Sequence, residues 1–302
     1  MSTTYLVPES TRKLLGKAES QCINLSLLLA RYIPQEAINK ADVYNDRNKV
    51  IGKRDSEWLK SVAGRFRADK VKPLVDAGYQ RWRFRTDGAP VRFTMPAATR
   101  LIVGLGGKGA LEIGITLQFI TGLPIIPGSA LKGLARAYGL LTIAAELESK
   151  LAPEKLDRLD EALGKGEFER ITNAELLPRA KHFQRAFGSQ EAGGICIFYD
   201  SVVAGLPPGS LFEVDVMTPH FSEYYSEKKP PSDDQSPIPV TFLTIAPGTK
   251  FAFAVGLRRG ASPEDEQTAR QAADWLTAGL QELGIGSKTA AGYGAFGERQ
   301  DL

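Results

Sequence analysis

Apolar positions recur along this chain at two different periods. Trp58, Leu59, Val62 and Phe66 fall at helical spacing and give one apolar face to 34–85, a stretch that otherwise reads as polar helices and turns. A short apolar run occupies 25–29. From Arg100 the texture changes. Residues 99–105 are apolar and β-branched and end in glycine, and 111–120 alternates apolar residues with Glu112, Gly114, Thr116 and Gln118, a strand pattern. Gly122, Pro124, Pro127 and Gly128 then break the chain. Ser129 is a good N-cap and predicts a helix from 130 to about 150. Residues 153–171 are polar and helical in pattern, whereas 194–203, 211–216, 240–245 and 250–257 read as strands. Between the second and third of these lies a Pro-, Ser- and Asp-rich stretch, 218–239, whose composition suits an exposed loop or hairpin. Ser262, with proline next, predicts a last helix over 263–283. A glycine-rich stretch, 284–297, follows.

The order from residue 99 is strand, strand, helix, strands, helix, glycine-rich segment. Strands on both sides of two main helices predict an α+β fold with a ferredoxin-like (RRM-like) core carrying inserted loops and helices. That core is expected over 99–302, behind a basic, largely helical extension at 1–98. The chain shows no internal repeat and no heptads.

Charge sharpens this division. The 302 residues carry a net +3, which alone does not suggest nucleic acid. Between residues 47 and 100, however, 14 Lys and Arg face 5 Asp and Glu, so this segment carries +9 and the rest −6. Cys22 and Cys196 are the two cysteines, too few and too far apart for a zinc site or a disulfide framework, and their apolar neighbours suggest buried free thiols. The start lacks the pattern of a signal peptide, and the apolar stretches are too short and too broken to span a bilayer. A soluble cytoplasmic protein without metal or cofactor is expected.

Several motifs carry possible chemistry. Gly104-Leu-Gly-Gly-Lys-Gly109 matches a dinucleotide fingerprint, but strand-like sequence follows where a helix is required. Gly292-Tyr-Gly-Ala-Phe-Gly297 has the same spacing and too little chain after it. The run Gly284-Ile-Gly286-Ser287-Lys288-Thr289-Ala-Ala-Gly292-Tyr293-Gly294 lets a phosphate chain approach the backbone and adds two hydroxyls, an ammonium and a ring that can stack on a base. It reads equally well as a tail that packs against a sheet. Ser129, Lys132 and Arg136 mark a helix start with two cations on one face. Alone, this is a capped helix with solvated charges. Arg81-Trp-Arg83-Phe-Arg85, if extended, would place its arginines on one face and its rings on the other, a strip suited to a phosphate backbone. His182 and His220 are the two histidines. Either could serve as general base in RNA cleavage, and His220 reads equally as a surface or stacking residue.

Taken together, Pro127-Gly-Ser-Ala-Leu-Lys-Gly-Leu-Ala-Arg136, Ala186-Phe-Gly188 and the 284–294 run resemble the RAMP superfamily of CRISPR effector proteins. The segments 215–225, 237–244 and 248–251, with the early run 24–32, are similar to its sixth-subunit family in the Cmr, or type III-B, complexes. The resemblance implies a ferredoxin-like core with its C-terminal glycine-rich loop lying against the sheet and crRNA. It implies RNA contacts at Gly284, Gly286, Ser287, Lys288, Thr289, Gly292 and Gly294 and near Lys132 and Arg136. Tyr293, Ser129, His220, Arg81, Arg83 and Arg85 join them as candidates. It further implies a non-catalytic subunit toward the crRNA 3′ end, with crRNA, target RNA and other Cmr subunits as partners and no membrane. Segment 218–239 would correspond to a thumb that wedges between guide and target. The enzymatic alternative is a metal-independent RAMP endoribonuclease with a histidine base.

Overall fold

The computed structural model describes residues 7–15, 22–34, 53–105, 114–147, 153–168, 176–189, 191–218 and 240–302. Two compact units divide the chain. One comprises Met1–Leu74, Gly104–Pro124 and Leu206–Ala246, the other Val75–Val103, Ile125–Gly205 and Pro247–Leu302. The boundary expected after residue 98 falls inside the second unit, because the chain just before it forms a strand of the main sheet.

The first unit holds α1 (Glu9–Leu15), α2 (Leu25–Arg31), α3 (Lys53–Ala63) and an antiparallel pair, β5 (Phe212–Met217) with β6 (Val240–Ile245). The helical period at Leu59, Val62 and Phe66 is realised as a buried face. Phe66 meets Phe212 edge-on at 5.1 Å. The expected strand over 111–120 does not form in its described part. Leu117 bridges Pro124, and the chain between them is a tight loop. Asn24 seats that loop: its Oδ1 accepts the Leu27 N–H as an N-cap, while its Nδ2 donates to the carbonyls of Phe119 and Ile120. A Cβ on Gly122 would stand 2.3 Å from the Leu25 nitrogen, so the close approach requires glycine.

The second unit is built on a six-stranded sheet. Its strands are β1 (Val91–Pro96), β2 (Ile125–Ile126), β3 (Cys196–Phe198), β4 (Ser201–Gly205), β7 (Lys250–Leu257) and β8 (Gln300–Asp301). The spatial order β4–β7–β1–β8, antiparallel throughout, with α5 (Gly128–Leu147) after β1 and α8 (Asp265–Glu282) after β7, is the ferredoxin-like arrangement. Helices α6 (Pro153–Lys165) and α7 (Leu176–Phe187) are inserted between α5 and β3.

The expected strand over 194–203 is two strands, β3 and β4, both paired with β7. Phe198 faces Val255 and Val202 faces Ala252, so β3–β4 advances four residues while β7 advances three. This is a bulge at Tyr199 and Asp200. Strand β7 is apolar at nearly every position because both its faces are covered. Ala252 and Ala254 pack against Trp82 of α4 (Ala68–Arg85), whereas Phe253, one step out of phase, stacks on Phe93 and meets Phe296 edge-on. Helices α5 and α8 pack closely because Gly139 lies against the Trp275 ring and Gly279 against Leu134 and Tyr138.

Candidate nucleic-acid interface

The glycine-rich segment is a docked loop. Residues 96–102 run beside it, and its backbone is tied to theirs: the N–H of Ser287 donates to the Ile102 carbonyl at 2.8 Å, Gly294 to Arg100 at 2.8 Å and Gly297 to Pro96 at 2.8 Å. Residues 99–105 were expected to form a strand, and instead serve as this backing. Gly286 has φ +97, and a Cβ there would sit 2.2 Å from the Ile102 oxygen. Gly294, at φ +79, would collide with the Ile285 oxygen at 2.1 Å. Glycine is therefore required at both points by contact as well as by conformation.

Between these fixed ends the loop turns outward through a short 3₁₀ helix, Thr289–Ala291. Lys288 starts it at φ 62, the one non-glycine residue among those described in the left-handed region. Such a conformation costs an L-residue roughly 1–2 kcal/mol. Gly284 and Gly294 are buried. Ser287, Lys288, Thr289 and Tyr293 are half-buried, and Gly286 and Gly292 are exposed. The structure thus gathers six of the candidate residues at the open edge of one loop, with Gly284 and Gly294 beneath them.

The start of α5 is different. The helix begins at Gly128, two residues before the start expected at 130, so Ser129 is not its cap but lies exposed within its first turn. The first N–H is already taken. Asp200, carried out of the ladder by the β3–β4 bulge, accepts from Gly128 N–H at 2.7 Å. Its carbonyl accepts from the Trp82 indole at 3.0 Å. Gly128 is needed because a Cβ would stand 2.1 Å from the Phe198 oxygen. An anion-seeking helix end is thereby filled by the protein's own carboxylate.

Arg136 is likewise engaged. Its guanidinium pairs with Asp160 at 2.7 Å and lies 5.5 Å over the Phe183 ring. Lys132, one turn earlier, is half-buried. Nearby, Arg185 makes a bidentate pair with buried Asp265, at 2.7 and 2.8 Å. That guanidinium, helped by the Ser262 N–H and hydroxyl, holds the Asp265 carboxyl down at about 2. The helix starts at Asp265 with Glu264 at its N-cap, so the cap expected at Ser262 does not form; Ser262 instead donates its N–H and hydroxyl to the Asp265 carboxylate.

Arg81, Arg83 and Arg85 do not form an extended strip. They occupy the last turns of α4, whose helical pattern from Ala68 continues unbroken through them. A helix separates neighbours by 100°, so alternating residues do not share a face. Trp82 alone turns inward, and the three arginines and Phe84 are exposed.

His182 donates to or accepts from Thr268 through Nδ1 at 2.9 Å between α7 and α8, and burial lowers its pKa. His220 lies outside the described residues. Among the described residues no cluster of three His, Cys, Asp or Glu could hold a metal ion, and no helix is long and apolar enough to cross a membrane. Cys196 is buried, and burial pushes its thiol up to about 12, whereas Cys22 is only half-buried.

Sequence reasoning missed two residues that organise this surface, Asp200 and Phe84. Asp200 carries no local motif, because its partners are Gly128 and Trp82. An extended reading puts Phe84 on the same face as Trp82, whereas the helix over 68–85 places it opposite.

Comparison with known proteins fits this geometry. A family model for the RAMP superfamily matches residues 94–297, from within β1 through the glycine-rich loop. The chain is 29% identical to CRISPR system Cmr subunit Cmr6 of Pyrococcus furiosus, over 94% of this chain and 97% of that one. It is 26% identical to CRISPR system CMR subunit Cmr6 of Saccharolobus solfataricus, over 98% and 88%. Its backbone is similar to a chain in the cryo-EM structure of the type III-B Cmr-beta bound to cognate target RNA, with TM-score 0.55, 21% identity and 96% of each chain covered. That last likeness speaks to the fold. With the family pattern running from within β1 through both helices of the ferredoxin-like core to the docked loop, the chain belongs to the RAMP superfamily.

Proposed function

We propose that this chain is a subunit of a type III-B CRISPR effector complex that binds crRNA, sits toward the crRNA 3′ end, contacts neighbouring subunits and target RNA there, and carries out no catalysis of its own. The relatives named Cmr6 align along nearly their whole length, which supports the effector-subunit reading. One observation carries the RNA-binding part. The 284–294 loop is fixed at both ends to residues 96–102 and presents Ser287, Lys288, Thr289 and Tyr293 at its open edge. Hydroxyls, an ammonium and a ring on a rigid glycine backbone suit phosphate contacts with a base stacked alongside. Such contacts fix position and leave sequence readout to base pairing.

The test is purification from a host that expresses the whole locus. Discrete short RNAs with a constant set of partner subunits are expected. A clean monomer without RNA would sink the reading. The non-catalytic part is tested separately, by incubating labelled RNA with the chain. Products with 2′,3′-cyclic phosphate ends that vanish in His220→Ala would establish the endoribonuclease instead.

A further inference from the structure

The C-terminal end of α4 presents an aromatic ring to solvent among three exposed arginines. Phe84 is 86% exposed. Arg81, Arg83 and Arg85 are exposed as well, and none of them takes part in the ion pairs found among the described residues. The helix period places Arg81 about 60° from Phe84 and sets Arg83 and Arg85 about 100° to either side. The ring is therefore bracketed by guanidinium groups.

This end of the helix is held firmly. Trp82 points the opposite way, is buried against Ala252 and Ala254, and donates its indole N–H to the Asp200 carbonyl at 3.0 Å. Buried Thr86 closes the last turn, its N–H and hydroxyl both donating to the Trp82 carbonyl. Arg83 and Arg85 near a helix C-terminus are favoured by the helix dipole in any case. The dipole gives no reason for a phenylalanine in water. A rigid exposed ring among cations matches single-stranded nucleic acid, whose bases stack on aromatics while its phosphates meet the arginines.

We propose that the α4 terminus is a second RNA contact, in which Phe84 stacks on an unpaired base and Arg81, Arg83 and Arg85 bind the flanking phosphates. It rests on the RNA-binding reading above and extends it to a residue and a chemistry outside the glycine-rich loop. Three exposed guanidiniums around the ring favour a polyanion over an apolar pocket on a protein.

The test is a titration of the full chain with a labelled, unstructured single-stranded RNA across a range of salt. Phe84→Ala is expected to weaken binding about tenfold. Phe84→Trp keeps the affinity and Phe84→Leu does not, because a base needs a ring to stack on. Replacing all three arginines by alanine lowers the slope of log affinity against log salt by about 2, at ~0.7 per phosphate contact on single strands. Thermal melting should be unchanged in Phe84→Ala, since the ring is exposed. A salt-dependent wild type with an unaltered Phe84→Ala overturns this assignment alone. A Leu variant that binds like wild type overturns stacking. Loss of a partner subunit from the purified complex, with RNA affinity intact, overturns it in favour of protein docking. A wild type that binds no RNA removes this proposal together with the reading beneath it.

Discussion

Residues 127–136 and 284–294 look alike as sequence. Each joins glycine to Ser and Lys, and each offers backbone N–H groups that could hold a phosphate. In the folded chain they are opposites. The first is closed by internal partners: Asp200 occupies the Gly128 N–H, and Asp160 and the Phe183 ring hold Arg136. The second is tied to residues 96–102 through its backbone, with half-buried Lys288 and Tyr293 between the tied points. The lesson is that a helix start that looks open to anions in the sequence can be filled by a carboxylate from far along the chain.

The sharpest probe of this contrast is Gly286→Ala. The new Cβ would meet the Ile102 oxygen at 2.2 Å with φ at +97, so a loss of roughly 2–4 kcal/mol in urea denaturation is expected, together with weaker RNA binding. Gly292→Ala, at φ +85 but facing open space, should lose only about 1 kcal/mol. Equal losses would show that the loop is not seated on residues 96–102.

The next largest effect concerns another internally partnered arginine, Arg185. The Asp265 carboxyl is held at about 2, below its ordinary 3.8, chiefly by that guanidinium. A depressed carboxyl stabilises the fold fully above its unfolded value and loses that contribution as pH falls through the folded one. Discounted for the half-exposed Arg185, the contribution is on the order of 1–2 kcal/mol. Stability measured by urea midpoint should therefore fall between pH 4 and 2, and Asp265→Asn should flatten that fall. A midpoint independent of pH across that window would remove the pair from the account.

Asp200→Ala removes the cap on α5 and should reduce stability by about 1 kcal/mol. RNA affinity should not fall, because the carboxylate is already engaged by the Gly128 N–H. A loss of RNA binding at unchanged stability would break the comparison. Arg136→Ala should be milder, below about 1 kcal/mol for a partly exposed pair, and should leave the salt dependence of RNA binding unaltered. A slope reduced by about 0.7 would mean that Arg136 meets a phosphate after all. The smallest change in stability is expected for Lys288→Gly. Glycine relieves the left-handed strain at φ 62, so the fold should gain a few tenths of a kcal/mol while RNA binding weakens for all sequences alike. A destabilised Lys288→Gly would argue that the side chain chiefly packs.

Much of the fold was legible wherever local period and tertiary burial agree. Helix α8, strands β5, β6 and β7, and most of α5 lie where the pattern put them. The failures have identifiable physical causes. At 81–85 an alternation of arginine and ring imitates a strand, and the helix that enters from Ala68 overrides it. Strand β1 follows a Thr86-Asp87-Gly88-Ala89-Pro90 turn and alternates well enough to have been found, yet it was absorbed into the basic extension. Residues 111–120 alternate without forming a ladder in their described part, because Asn24 folds 117–124 into a loop. Helix α7 shows its apolar face at Leu176, Ala180, Phe183, Ala186 and Phe187, a stripe hidden among charges. For the site, the glycine-rich loop was recognisable from composition. Asp200 was not, since its role depends on residues 72 and 118 positions away.

The Asp200 peptide joins three segments that the chain visits far apart: the end of α4 through Trp82, the start of α5 through Gly128, and the bulge on β7's neighbour. Contacts of such long sequence separation are slow to close and cannot form piecemeal. The node should therefore open only when the whole unit opens. Hydrogen exchange at the Gly128 amide and at the Trp82 indole, two protons on different helices, should then share one opening free energy, making this carboxylate a reporter of cooperative unfolding as well as a cap.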